Sequence, residues 1–197
     1  MNFFYNMSTQ IINNIKSFVA LSQNDEEAFL KILVVKKYAK KDFILEEGEI
    51  CDKIFFINAG CARDFFNIDG EEKTLQFFFS DSWFTDYDSF LTGQPTLESL
   101  QAIEPCEVVH FKKSDLYKLY ITNPVFERVG RVMAENAFIR LHSLTTMRTN
   151  QDPEERYLNL LNQRPEVVEK IPQHYIASYL GLQPQSLSRI RKRIFDK

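Results

Sequence analysis

A chain of 197 residues, 44% hydrophobic and 26% charged, can bury a real core and suits two small domains or one ordinary one. No apolar run approaches the ~20 residues of a membrane span, and Met1–Gln10 lacks the basic start and apolar stretch of a secretory signal. Cys51, Cys61 and Cys106, odd in number and without a short spacing, exclude a disulfide framework, a zinc knuckle and a four-thiolate cluster. They read as small buried hydrophobes in a protein of the reducing cytoplasm, with neither metal nor other cofactor. The net charge of −3 argues against a nucleic-acid binder until its distribution is read. Residues 154–197 hold eight Lys/Arg against five Asp/Glu, and the rest of the chain holds sixteen against twenty-two. Arg189, Arg191, Lys192, Arg193 and Lys197 face only Asp196 at the very end. A basic end on an acidic body is the footprint of a protein that touches polyanions through one small region.

In chain order, Ser22 with Asp25–Glu27 predicts a capped helix start leading into Ala28–Leu33. From about Lys41 to Phe111 short aromatic and β-branched runs (Ile54–Ile57, Arg63–Phe66, Thr74–Phe79, Val108–Phe111) alternate with turn signals. Asp69-Gly70 supplies the positive φ of a tight hairpin turn. Roughly eight short strands at this spacing predict a barrel or jelly roll. Asn123-Pro124 then opens a helical segment to about Thr149, on the order of 37 Å long. Val125, Val129, Val132, Asn136, Ile139 and Ser143 recur at alternating spacings of four and three, flanked by Phe126, Met133, Ala137, Leu141 and Leu144. One face is expected to cover the barrel and the other to meet a second copy, with Asn136 fixing the register. Asp152 fits an N-cap and Pro153 the first position of the next helix, with Glu154 and Glu155 near its positive end.

Residues 173–194 carry the functional signal. Two helices crossing closely need a small residue at the contact, which Ala177 provides. Four residues on, Gly181 can turn the chain through the left-handed conformation. Ile176, Leu180, Leu182, Leu187 and Ile190 fall inside the corner, and Pro184 suits the first turn of the second helix. That second helix leaves Gln185, Ser186, Ser188 and Arg189 outward, where Gln suits adenine and Arg suits guanine in a major groove. Arg191, Lys192 and Arg193 follow as expected phosphate contacts, and His174 and Tyr175 at the start of the first helix can reach a backbone phosphate. The competing reading is a helical hairpin with a basic, solvated face.

With Phe43-Ile-Leu-Glu-Glu-Gly-Glu, Phe55-Phe-Ile-Asn-Ala-Gly, Ile176-Ala-Ser-Tyr-Leu-Gly-Leu and Leu187-Ser-Arg-Ile-Arg in place, the chain resembles the Crp/Fnr family of transcription regulators over nearly its whole length. The resemblance implies an α+β fold: an N-terminal double-stranded β-helix or jelly roll of the cyclic-nucleotide-binding type, a long dimerisation helix and a C-terminal winged helix-turn-helix. The expected domains are 1–122 (sensor roll), 123–150 (dimerisation helix) and 151–197 (DNA-binding). It further implies a homodimer on palindromic double-stranded DNA, with no catalytic activity and no membrane partner. RNA polymerase and an unidentified small-molecule effector are the further partners it admits. By position, the family's base contacts fall on Pro184, Gln185 and Arg189, and Pro184 replaces an arginine, so base preference does not carry over.

The family's ligand site is where this sequence departs. The resemblance implies a phosphate held by a Gly-Glu-Leu turn and an Arg-Ser pair. Here the turn reads Trp83-Phe84-Thr85-Asp86-Tyr87, with Thr85 in place of glycine, and Thr96-Leu97 replace Arg-Ser. No Lys or Arg occurs between Lys73 and Lys112, while Asp81, Asp86, Asp88, Glu98 and Glu104 do. A cyclic phosphate would lose its charged hydrogen bonds and meet like charge. Cyclic AMP binding in the family manner is therefore not expected, and the roll either holds a different molecule or is a filled scaffold. Three scattered cysteines cannot hold an iron–sulfur cluster, and lone histidines such as His110 and His142 do not make a haem site. One imidazole in the roll does not make a metal-dependent jelly-roll enzyme. The alternative to DNA binding is a ligand-binding or protein-interaction module whose basic helix docks an acidic protein. Because the sequence ends at Lys197, the wing is expected to be reduced to residues near Val167–Ile171, or the DNA contact to be slightly smaller.

Overall fold

The structure, a computed structural model, describes residues 2–195. Met1, and Asp196 and Lys197 of the basic end, lie outside the described residues. Two helices, α1 (Asn2–Lys16) and α2 (Gln23–Leu30), precede eight strands: β1 (Val34–Tyr38), β2 (Phe43–Leu45), β3 (Lys53–Ala59), β4 (Ala62–Ile68), β5 (Glu71–Phe78), β6 (Ser82–Phe84), β7 (Glu98–Ala102) and β8 (Cys106–Lys112). A short helix α3 (Tyr87–Thr92) interrupts them after β6. Then come α4 (Lys113–Thr122), the long α5 (Val125–Asn150), α6 (Pro153–Gln163), α7 (Pro165–Lys170), α8 (Gln173–Tyr179) and α9 (Pro184–Phe195). The chain divides into two compact units, Met1–Asp64 with Phe77–Ala134, and Phe65–Gln76 with Glu135–Lys197.

Strands in the orders β1-β8-β3-β6 and β2-β7-β4-β5 make two four-stranded sheets. The inner faces of both meet in one core: Tyr38, Phe55, Ile57, Phe84 and Val108 from one sheet, and Ile44, Leu45, Ala62, Phe78, Leu100 and Ala102 from the other. The alternate residues of β3 and β8, among them Ile54, Phe56, Val109 and Phe111, point outward as the pleat requires. They meet Ile11, Ile12 and Ile15 of α1, Phe29 of α2, Leu116 and Leu119 of α4, and Phe126, Val129 and Met133 of α5. Both faces of that sheet are covered, which explains the near-continuous apolar run Ile54-Phe-Phe-Ile.

The strands begin earlier than the sequence suggests, at Val34 rather than near Lys41. Val-Val-Lys-Lys-Tyr hides this strand behind its lysines, yet it pairs with β8 from Val34↔His110 to Tyr38↔Cys106. It is an edge strand, where lysines keep their heads in water and discourage further pairing. Ser22 closes a capping box with Asp25, its Oγ accepting from the Asp25 N–H at 3.2 Å. The helix so started ends at Leu30 and does not reach Leu33. Asp69 (φ 53°) and Gly70 (φ 83°) both take positive φ, as a two-residue type I′ hairpin turn between β4 and β5 demands.

On helix α5, where one face was expected to cover the barrel, Phe126, Val129 and Met133 are buried in the first unit's core. Only the later part of the stripe stays open: Phe138 (69% exposed), Ile139 (60%) and Leu141 (63%), with Asn136 and Ser143 also exposed. Gly130 lets the Tyr120 hydroxyl lie against the helix backbone, and any Cβ there would collide with it. Asp152 caps α6 as expected, accepting from the Glu154 and Glu155 N–H groups at 2.8 and 3.0 Å, with Pro153 in the first turn. Residues 165–170, where a reduced wing was expected, form the helix α7, and among the described residues no strand follows β8. Pro165 starts that helix in a conformation its ring already holds.

Candidate nucleic-acid interface

In the second unit α6 packs on α7 and α9, α7 on α8, and α8 on α9. Tyr157, Leu160, Val167, Ile171, Ile176, Leu180, Leu187 and Ile190 are buried there. Ala177, fully buried, sits where α8 and α9 approach, and its carbonyl accepts from the Leu182 N–H at 2.8 Å. Gly181 turns the chain with φ 68°. The Gln183 carbonyl accepts from the Ser186 and Leu187 N–H groups at 3.0 and 3.1 Å and so opens α9, with Pro184 leading it. The pair α8–α9 is a helix-turn-helix.

Leu187 and Ile190 point into the corner, which leaves Gln185, Ser186, Ser188 and Arg189 exposed on the first two turns of α9. Lys192 is also exposed and Arg191 half-buried. Arg193 is held by Glu154 of α6 at 3.2 Å, so any phosphate contact would compete with an ion pair that the sequence did not reveal. His174 is exposed at the start of α8 and lies against the Tyr175 ring, with centroids 4.0 Å apart. Gln185, Ser186, Ser188, Arg189, Arg191, Lys192 and Arg193 thus share α9 with a buried apolar underside, while His174 and Tyr175 lie on α8.

The expected effector site is arranged differently from an anion cradle. The Thr85 hydroxyl donates to the Lys53 carbonyl at 2.9 Å and also meets the Cys51 thiol at 3.5 Å. Asp86 caps α3 itself, its carboxylate accepting from the Asp88 and Ser89 N–H groups at 3.0 and 3.3 Å. Those amides, which could meet an anion, already hold a carboxylate of the chain. Thr96 is buried and bonded within its own turn to the Glu98 N–H at 3.0 Å, while Leu97 is 69% exposed. Burial, then the neighbouring Asp86 and Asp88 charges, push the Glu98 carboxyl up to about 7. Burial likewise raises the Tyr87 hydroxyl and, more than its hydrogen bonds lower it, the Cys51 thiol. His110 lies on β8 beside the Phe55 ring, lowered in pKa first by burial and then by Lys53 and Lys36.

Residues 35–123 match the family of the cyclic nucleotide-binding domain. A comparison with curated proteins found no significant sequence match. Among solved structures, FixK2 from Bradyrhizobium japonicum is similar at 18% identity, over 83% of this chain and 84% of that one, with a TM-score of 0.72. CLP from Xanthomonas campestris, described as a c-di-GMP responsive global regulator, is 17% identical over 88% and 91%, with a TM-score of 0.69. A putative transcriptional regulator of the Crp/Fnr family from Eubacterium rectale is 14% identical over 89% and 84%, again at 0.69. The match over residues 35–123 and the likeness to these solved structures show the fold: a cyclic nucleotide-binding-type roll within a chain that as a whole has the fold of the Crp/Fnr regulators. Among the described residues no helix is long and apolar enough to cross a membrane.

Proposed function

We propose that the protein is a transcription regulator that binds palindromic duplex DNA as a homodimer, without cyclic AMP, and so recruits or blocks RNA polymerase. The observation that carries this reading is the exposed row Gln185, Ser186, Ser188 and Arg189 above the buried Leu187 and Ile190. Two such helices enter successive major grooves roughly 34 Å apart. Independence from cyclic AMP rests on the Asp86 carboxylate at the start of α3, the acidic neighbours Asp88 and Glu98, and a roll interior filled by Phe55, Phe78 and Phe84. Replacing Arg189 with Ala is expected to weaken operator binding by about 1–3 kcal/mol and to relax preference at one base pair per half-site. An equal loss on every sequence would make Arg189 a phosphate contact, and no loss at all would remove α9 as the reading helix.

A further inference from the structure

The tip of the β4–β5 hairpin belongs to the same compact unit as the helix-turn-helix, since Phe65–Gln76 cluster with Glu135–Lys197. The contact is specific. Ser178 of α8 puts its hydroxyl between two hairpin residues, accepting from the Thr74 N–H at 2.9 Å and donating to the Glu72 carbonyl at 2.9 Å. Its oxygen thereby satisfies one donor and one acceptor of a strand edge, as a neighbouring backbone would. Arg148 of α5 completes the junction, with one guanidinium nitrogen donating to the Thr74 carbonyl at 2.9 Å and to the Tyr179 carbonyl at 3.0 Å. Tyr179 is the last residue of α8, at the negative end of the helix, where an arginine suits a carbonyl. Burial lowers the Arg148 pKa, and bonds to two carbonyls are what such a charge needs. Thr74, at the centre, is fully buried.

Three elements distant in sequence therefore meet at Thr74: the hairpin, the long helix and the first helix of the reading head. None of the bonds uses the outward face of α9, and Ser178 lies outside the apolar corner formed by Ile176, Ala177 and Leu180. The other ends of β4 and β5 carry Ala62 and Phe78 into the core of the roll. The junction thus ties α8 to the hairpin tip and α5 within the second unit, through residues other than the outward ones of α9.

We propose that Ser178, with Arg148, is a positioning latch: it fixes α8 on the hairpin and α5 in the orientation that presents α9 to DNA. This rests on the DNA-binding reading. In this chain the latch is closed by the Ser178 hydroxyl and the Arg148 guanidinium.

The test compares the full-length wild type with Ser178→Ala and Ser178→Thr, by operator binding against salt concentration and by amide hydrogen exchange. Loss of two hydrogen bonds predicts about 5- to 10-fold weaker operator binding for Ser178→Ala. Its salt dependence should equal that of the wild type, because no phosphate contact is removed. The Thr74 amide should exchange faster in the free variant, and Ser178→Thr, which keeps the hydroxyl, should restore both. By reciprocity, operator added to the wild type should slow exchange at Thr74. Wild-type affinity in Ser178→Ala, or a salt slope lowered by one contact, would overturn the latch. Unchanged exchange at Thr74 would overturn it independently of DNA. Failure of the wild type to bind any duplex would count against the DNA-binding reading instead.

Discussion

At the scale of single residues, the carboxyl of Glu98 lies half-buried among acidic neighbours. Its folded pKa is raised to about 7 by burial and by Asp86 and Asp88, above the 4.5 of an ordinary glutamate. The folded state then binds more protons than the unfolded chain between those values, so stability present at low pH is lost as pH rises from about 4.5 through 7. Glu98→Gln is expected to flatten this decline and to stabilise the protein at pH 8 by on the order of 1 kcal/mol, allowing for the partial exposure of the group. Denaturant melts at pH 5 and pH 8 check it, and equal pH profiles for wild type and variant would contradict it. The sequence showed the absence of basic residues around this site and the presence of Asp86. It could not show that the Asp86 carboxylate caps α3, because a cap depends on where a six-residue helix starts.

At the scale of elements, legibility followed the range of the interaction. The capping boxes at Ser22 and Asp152, the Asp69-Gly70 turn and the Ala177–Gly181 corner are local, and the spacing of a few residues specifies each. Strand β1 was missed because the edge of a sheet tolerates lysines that mask alternation. On α5 periodicity reports apolar faces, not which partner fills them; the first unit's core takes Phe126, Val129 and Met133. Ser178, Arg148 and the Arg193–Glu154 pair bridge 31 to 106 residues and leave no local trace. The exposed remainder of α5 carries a prediction of its own. Phe138, Ile139 and Leu141 are apolar side chains that a second copy would bury, and Phe138→Glu should place like charges against each other in that seam. Sedimentation should show the wild type as a dimer and the variant dissociating at about 10-fold or more higher concentration. An undiminished dimer would move the interface off this stretch.

At the scale of the molecule, the chain joins a β-roll whose inner faces carry Phe55, Phe78 and Phe84, a long helix and a helix-turn-helix, and the proposed reading leaves cyclic AMP no part in it. Calorimetry with cyclic AMP is accordingly expected to show no binding at micromolar concentrations, and a micromolar heat would contradict the reading of Asp86, Asp88 and Glu98. Sequence-specific DNA binding without an effector is tested by selection from a random duplex library with purified protein at about 150 mM salt and no added ligand. Enrichment of a palindrome whose half-sites lie about one helical turn apart is expected. Retention of DNA without sequence preference, or no retention at all, would contradict it.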